Sequence, residues 1–193
     1  MVHNEDDMIP PVRQKNNLNA TFMEEIMEYR ERYDRPDYDT YFMNMAFLVA
    51  TRTTCLRRSV GAVIVKDQRI LSTGYNGAPK GVKDCIELGF CVRQEKNVPS
   101  GQRHELCRGV HAEQNAIANA AYFGVAINGA SIYMTESPCN ICTKILINSG
   151  IRKIIYVNRY MDNLSSELLM ESNIEVQKFQ VKTTIEDFTE DKV

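Results

Sequence analysis

The chain has 193 residues, with 23 basic and 25 acidic side chains and a formal net charge of −2. This length fits one globular domain with terminal extensions, and the balanced charge argues against a dedicated binder of long nucleic acid, whose surface is strongly basic. No apolar run reaches membrane-spanning length and Met1–Arg13 lacks the apolar stretch of a signal peptide, so a cytoplasmic location without membrane partners is expected.

Three segments are predicted along the chain. They are an N-terminal arm and helix over residues 1–36, a folded domain over residues 37–181 and a C-terminal tail over residues 182–193. The arm is charged and contains Pro10, and helical apolar spacing begins only at Leu18. The sequence therefore places the main fold in the central segment.

The central segment is predicted to open with a helix that begins near Asp37, has Asp37 or Asp39 as its N-cap and continues towards Thr54. Two strand-like runs follow it. Residues 60–65 are almost continuously apolar, which is typical of a strand covered on both faces. Residues 69–74 then form the hairpin partner of this strand.

Residues 76–109 show no sustained periodicity and contain seven glycines and prolines, which predicts a long loop. Loops of this length in compact domains are commonly functional or held in place by a ligand. Helices and strands alternate after the loop. They are a small-residue helix from His111, strand 130–135, helix 139–148, strand 153–157, helix 165–171 and strand 174–179. The pattern predicts an α/β fold, a three-layer helix–sheet–helix sandwich with a five-stranded mixed sheet.

Two short motifs each open a predicted helix directly after a loop or a strand. They are His111-Ala112-Glu113 and Pro138-Cys139-Asn140-Ile141-Cys142. One imidazole and two thiolates form a three-ligand zinc set that leaves a fourth position for water. We therefore predict that His111, Cys139 and Cys142 hold a catalytic zinc ion where the two helices begin at one edge of the sheet.

The charge of this ligand set defines the expected role of Glu113. A neutral imidazole and two thiolates cancel the charge of zinc, and two helix N-termini restore positive potential at the site. Glu113 is then the proton carrier, which takes a proton from the zinc-activated water, passes it to a ring nitrogen and protonates the departing amine. A lone Cys-x-x-Cys pair also occurs in structural zinc sites and redox pairs, but both motifs together are typical of zinc deaminases.

At these residues the sequence resembles the zinc-dependent cytidine/deoxycytidylate deaminase superfamily, and most of all its deoxycytidylate (dCMP) deaminases. The resemblance covers about residues 41–160. It is carried by Val60-Gly61-Ala62-Val63-Ile64-Val65, Gly74-Tyr75-Asn76-Gly77-Ala78-Pro79-Lys80-Gly81, His111-Ala112-Glu113-Gln114-Asn115-Ala116-Ile117 and Pro138–Cys142. It implies a cytidine deaminase-like fold for residues 37–181, and hydrolysis of dCMP to dUMP and ammonia, a step towards thymidylate.

The resemblance also implies three substrate contacts. Asn76 would bond the sugar hydroxyl, Ala112 would offer a backbone group to the base, and Tyr160 would lie against the nucleotide. The dipeptide that Asn76 forms with Gly77 also favours an ordinary tight turn, which is compatible with a contact.

A monophosphate substrate needs a cationic or N–H-rich cradle. Arg57, Arg58 and Lys80 are the candidate phosphate ligands because they flank the predicted hairpin. Each of them alone is more often a solvated surface charge.

Four cysteines lie outside the catalytic motif and define a candidate second zinc site. The candidate ligands are Cys55, Cys85, His104 and Cys107, with Cys91 as a substitute. Such a site would hold the long loop in order, and some dCMP deaminases resemble this in having a second, structural zinc. Buried reduced thiols beside a surface histidine explain the same residues, so both hypotheses stay open.

The resemblance further implies a homo-oligomer, a hexamer or a dimer, activated by dCTP and inhibited by dTTP. Alternatives within the same chemistry are deamination of tRNA adenosine, of a riboflavin precursor or of free cytidine. The first is expected to need a basic face, the second usually has a fused reductase domain, and the third generally has a shorter chain. A non-catalytic zinc module in DNA uptake is the alternative from another class, and Glu113 argues against it because a structural zinc does not require that residue.

Overall fold

The computed structural model describes residues 35–99, 102–159 and 162–181. The predicted N-terminal helix, the C-terminal tail and Tyr160 lie outside these residues. The chain divides into two units at Pro36, and the described helices and strands all belong to the unit that begins at Asp37. None of the described helices combines the length and the apolar composition needed to cross a membrane.

Five strands form one mixed sheet. The strands are β1 (Gly61–Lys66), β2 (Arg69–Tyr75), β3 (Ser131–Glu136), β4 (Lys153–Asn158) and β5 (Glu175–Lys178). The helices are α1 (Tyr38–Ala50), α2 (Cys85–Leu88), α3 (Val92–Glu95), α4 (Ala112–Tyr122), α5 (Asn140–Asn148) and α6 (Asn163–Glu171), with a 3-10 turn at His104–Leu106. In the strand order β2-β1-β3-β4-β5, β1 is antiparallel to β2 and β3, whereas β3, β4 and β5 are parallel.

Both faces of the sheet are covered by helices. Along β1, Ala62 and Ile64 pack in the core formed with α4 and α5, whereas Val63 and Val65 pack against α1. A strand between two helical layers is buried on both faces, which explains why this strand is apolar at successive positions. The predicted three-layer helix–sheet–helix sandwich is thus confirmed.

Two glycines let helices lie directly on strands. A Cβ atom at Gly61 would lie 2.0 Å from the carbonyl oxygen of Ala46 in α1. A Cβ atom at Gly74 would lie 2.3 Å from both the carbonyl oxygen of Ala112 and the nitrogen of Ala116 in α4. Any side chain at these positions would therefore separate a helix from the sheet.

Gly74→Ala is expected to lower the free energy of unfolding by about 1–3 kcal/mol, the usual cost of overpacking a well-packed core. The added methyl group meets helix backbone, which cannot rotate away as a side chain can. Urea unfolding measures the change. Thr73→Ala on the same strand adds no atoms and should cost less than about 1 kcal/mol. Equal midpoints for parent and Gly74→Ala would show that α4 can move away from β2 without cost.

The structure corrects the prediction for the loop over residues 76–109, which contains α2, α3 and the 3-10 turn. Helix α2 has a capping box, in which the Asp84 side chain accepts from the N–H of Glu87 and the Glu87 side chain accepts from the N–H of Asp84. It ends at Gly89 with a left-handed φ of 76°. Segments of four residues are too short for apolar periodicity to reveal them.

The remaining differences lie at element ends. Asp37 and not Asp39 is the N-cap of α1, because its carboxylate accepts a hydrogen bond from the N–H of Thr40 at 2.7 Å. The helix ends at Ala50 and does not continue towards Thr54.

Candidate active site

Three donor groups meet where α4 and α5 begin. Nδ1 of His111 lies 3.5 Å from Sγ of Cys139 and 3.3 Å from Sγ of Cys142, and the three donor atoms lie within 4.8 Å of one another. Tetrahedral zinc, with bonds of about 2.3 Å to sulfur and about 2.0 Å to nitrogen, requires nitrogen–sulfur separations of about 3.5 Å. The group, called the cage below, therefore fits zinc, and no second group of this kind occurs in the described part of the chain.

Local backbone structure directs these side chains towards one another. His111 is the N-cap residue of α4, and the side-chain oxygen of Gln114 accepts its backbone N–H at 3.1 Å. Cys139 is the N-cap residue of α5, directly after the fully buried Pro138. Cys142 follows in the first turn, on the same side of the helix. Both helix N-termini thus face the cage. The positive potential at a helix N-terminus stabilises thiolates.

Hydrogen bonding makes the two thiols unequal. The hydrogen bond with Cys142 lowers the pKa of Cys139 to about 4, and the same bond raises the pKa of Cys142 far above its ordinary value. The pKa of His111 is raised, chiefly by its hydrogen bond with Cys139. The raised pKa values of Cys142 and His111 favour protons that a zinc ion would displace, since zinc binds thiolates and neutral imidazole.

Glu113 lies beside the cage without belonging to its donor set. It is in the first turn of α4 and its exposed fraction is 5%. Burial raises the pKa of its carboxyl group to about 7, and the neighbouring His111 opposes this rise. A carboxyl group with a pKa near neutrality can both accept and donate a proton during one reaction.

A cavity of about 120 Å³ adjoins the cage and is lined by His111, Glu113 and Cys139. Asn76 and the fully buried Ala112 line it as well. Ala112, the predicted base contact, and Asn76, the predicted sugar contact, thus line the same cavity as the predicted metal ligands His111 and Cys139.

Asn76 holds the end of the hairpin with its own side chain. Oδ1 accepts from the N–H of Val60 and from the hydroxyl of Thr53, both at 2.8 Å, and Nδ2 donates to the carbonyl oxygen of Arg58 at 2.8 Å. A bridge between Gly77 and Val110 then fixes this turn next to His111. Because an amide nitrogen carries two hydrogens, Asn76 keeps one donor for a ligand.

The predicted phosphate ligands occupy different environments. Arg57 lines the cavity, and its buried Nη1 has no hydrogen-bond partner among the described residues. Arg58 also lines the cavity, and its Nη1 lies 2.6 Å from Oε2 of Glu136. Lys80 is exposed and is not part of the cavity lining.

The sequence analysis missed Arg93. It lines the cavity with an exposed fraction of 8%, and its positive charge opposes the rise in the pKa of His111. Its Nη2 donates to the carbonyl oxygens of Pro99 and Gln102, whereas its buried Nε has no partner within the described residues. A helix of four residues is too short to show apolar periodicity, so no pattern in the sequence marks Arg93.

The candidate ligands of a second zinc also gather at this cavity. Burial raises the pKa of the Cys85 thiol, and the nearby thiols of Cys91, Cys55 and Cys107 raise it further. The ring of His104 packs edge-on against that of His111, with 4.9 Å between their centroids. All six cysteines of the chain are free thiols. The second zinc stays a prediction.

A sequence model described as the cytidine and deoxycytidylate deaminase zinc-binding region matches residues 36–158. Deoxycytidylate deaminase of Schizosaccharomyces pombe is 36% identical over 146 residues, which are 75% of this chain and 45% of that protein. The chain thus spans less than half the length of this relative. ComE operon protein 2 of Bacillus subtilis is 36% identical over 155 residues, 80% of this chain and 77% of that protein.

A solved structure shares the fold. It is the dCMP deaminase from the cyanophage S-TIM5 in complex with dCMP and dUMP, with a TM-score of 0.63 and 32% sequence identity. The similarity covers 75% of this chain and 98% of that chain.

Proposed function

The chain belongs to the cytidine and deoxycytidylate deaminase family, whose metal is zinc, and on that premise we propose that it hydrolyses dCMP to dUMP and ammonia. The observation that carries this proposal is the buried acid Glu113 beside a His-Cys-Cys cage of zinc-binding dimensions. The similar cyanophage enzyme, solved with dCMP and dUMP, supports the choice of substrate. The product would supply thymidylate synthesis.

In the proposed reaction, His111, Cys139 and Cys142 hold the metal and Glu113 moves the protons. Zinc, when bound, supplies Lewis acidity that makes water nucleophilic at neutral pH. The Glu113 carboxylate accepts a proton from the attacking water and delivers it to N3 of cytosine. It next takes the proton of the hydroxyl group added at C4 and gives it to the amino group, so that ammonia leaves and the C4 carbonyl of dUMP forms. The burial that raises its pKa suits it to both directions of transfer.

The remaining contacts orient the nucleotide. Ala112 lies between His111 and Glu113 in the chain and lines the cavity, so its backbone would meet the base. The second amide hydrogen of Asn76 would donate to a sugar hydroxyl. The stacking role of Tyr160 remains a prediction on a residue outside the described ranges.

The substrate phosphate would bind at Arg57 and Arg93, which both present buried N–H groups without partners in the described part of the chain. A buried guanidinium N–H is costly unless an acceptor satisfies it, and a phosphate oxygen is a strong acceptor. Arg58 forms an ion pair with Glu136, so its charge would attract the phosphate to the cavity without binding it directly.

Arg57→Ala is expected to raise KM for dCMP by about 10-fold to 100-fold, the worth of one hydrogen bond to a charged group. Deoxycytidine lacks the phosphate, so its kcat/KM should stay near that of the parent. Steady-state ammonia release on both substrates measures the difference, and Lys80→Ala is the control because Lys80 lies outside the cavity lining. Equal losses on dCMP and deoxycytidine would contradict a phosphate contact.

The activity itself is tested with zinc-loaded protein on dCMP, CMP, cytidine and dCTP. We expect dCMP to give the highest kcat/KM, with dUMP and ammonia as products. A higher kcat/KM for cytidine would reject the dCMP assignment. A zinc-loaded protein that deaminates none of the four would instead support the non-catalytic alternative.

We also propose the second, structural zinc. Cys85 is buried and lines the same cavity as Cys55, Cys91 and Cys107, and the N–H of Arg57 donates to Sγ of Cys55 at 3.4 Å. His104 and Cys91 both line this cavity, so either could supply the fourth ligand. Metal analysis should find two zinc ions per chain in the parent and one in Cys85→Ala. One zinc ion in the parent would reject the second site.

The proposal includes assembly, regulation and location. We propose a homo-oligomer, a hexamer or a dimer, with dCTP as activator and dTTP as inhibitor. Tyr122 and Phe123 at the end of α4 are 80% and 74% exposed, which supports subunit packing at this helix end. Six free thiols support a cytoplasmic location. Light scattering with and without dCTP tests the assembly.

A further inference from the structure

We infer that Asp162 is the positioning residue of the cage. Its carboxylate caps the helix that carries Cys139 and Cys142 and so fixes the two thiols in the geometry that zinc requires. The inference rests on the proposed function in one respect, which is that the cage binds zinc.

Helix α5 needs a cap from another part of the chain. The first N–H groups of any helix lack partners within the helix, and an N-cap side chain usually accepts one of them. Here the N-cap residue is Cys139, whose side chain makes no capping hydrogen bond and turns to His111. The Cys139 thiol is directed at the cage, and the N–H of Asn140 at the start of the helix is left to another acceptor.

Asp162 supplies the missing acceptor. Its Oδ2 accepts from the backbone N–H of Asn140 and from Nδ2 of Asn140, both at 2.9 Å. Its Oδ1 accepts from the backbone N–H of Ser165 at 3.0 Å, which caps its own helix α6. One carboxylate therefore fastens the N-termini of α5 and α6 to each other, directly beside Cys139.

Ser165 fastens the other side of Cys139. Its hydroxyl donates to the carbonyl oxygen of Pro138 at 2.9 Å and lies 2.6 Å from the hydroxyl of Thr143. Because the Ser165 hydroxyl has one hydrogen, the Thr143 hydroxyl is the donor in the second contact. Both side chains are buried, so water does not compete for these bonds. The ligand segment 138–143 is thus held on both sides by residues at the start of α6.

An ordinary helix cap would stabilise the fold without affecting the metal. Asp37 provides the matched case, since it caps α1 through the N–H of Thr40 and α1 lies on the other face of the sheet. Removing either cap should lower the stability of the fold. Only removal of Asp162 should also loosen the cage, because groups that orient metal ligands contribute about 10-fold to 100-fold to metal affinity.

The test compares Asp162→Ala with Asp37→Ala in the zinc-loaded full chain, without substrate. Chelator competition gives the zinc affinity, thermal unfolding gives the stability, and His111→Ala identifies which zinc belongs to the cage. We expect cage zinc affinity to fall about 10-fold to 100-fold in Asp162→Ala and to stay at the parent value in Asp37→Ala. Asp162→Asn keeps one acceptor oxygen and should lie between the parent and Asp162→Ala.

Equal zinc affinity in the parent and in Asp162→Ala, with lowered stability, would overturn the positioning role. If Asp162→Ala does not fold, Asp162→Asn decides, and an unchanged zinc affinity there would overturn it as well. Equal zinc content in the parent and His111→Ala would reject the cage and the inference together. A parent that binds cage zinc but does not deaminate dCMP would reject the proposed function alone, since the zinc measurements need no substrate.

Discussion

Glu113→Gln is expected to lower kcat for dCMP by about 10²-fold to 10⁴-fold, the usual contribution of a general acid and base. Glutamine has the shape of glutamate but cannot accept the proton of water or pass it to the base. Zinc should stay bound, because Glu113 is not one of the three donors. Ammonia release measures the rate, and metal analysis of the same sample measures the zinc.

Glu175→Gln is the control for this substitution. Glu175 is on β5, forms an ion pair with Lys153 at 3.0 Å and does not line the cavity. Its variant should keep the parent rate. A Glu113→Gln protein with full zinc and a rate close to the parent would contradict the role of Glu113 as proton carrier. A variant that loses both zinc and rate would show instead that Glu113 supports the cage.

Cys142→Ala is expected to remove the cage zinc and, with it, the deaminase activity. Cys142 is fully buried and no other described thiol is within ligand distance of His111 and Cys139, so no other thiol there can replace it. The affinity should fall by more than the roughly 100-fold loss that follows removal of a group that only orients a ligand.

Metal analysis and chelator competition on Cys142→Ala measure this loss. If a second zinc is present, one ion should remain in this variant, and the double variant with Cys85→Ala should bind none. Retention of zinc at the parent affinity in Cys142→Ala would show that the cage is not the metal site.

The chemistry of the site was predictable because each part has a local signal. Pro138 and the two cysteines of the second motif mark a helix start, and His111 precedes the small-residue helix in the same way. The alternation of strands and helices then indicates which helix N-termini share a sheet edge. From these signals alone, the sequence analysis placed all three donors of the cage at one location.

The residues that support the site were not predictable in this way. Asn140 and Asp162 are 22 positions apart, and their contact depends on how α6 packs beside α5. Arg93 lies in a segment whose helices span single turns, so neither its burial nor its direction has a periodic signal. Among the three cations named from the sequence, Lys80 flanks the same turn as Asn76 but is exposed to solvent. Proximity along the chain does not specify the direction of a side chain.

The spacing of the cage donors along the chain has a consequence for the order of folding. His111 precedes Cys139 by 28 positions and Cys142 by 31, and the intervening chain contains α4 and β3. Closing a loop of this length has an entropic cost that the core must offset before the metal can bind. Zinc should therefore bind late in folding, once β3 lies beside β1. Because the native state then binds zinc more tightly than the unfolded chain does, a higher concentration of free zinc should make unfolding of the domain rarer.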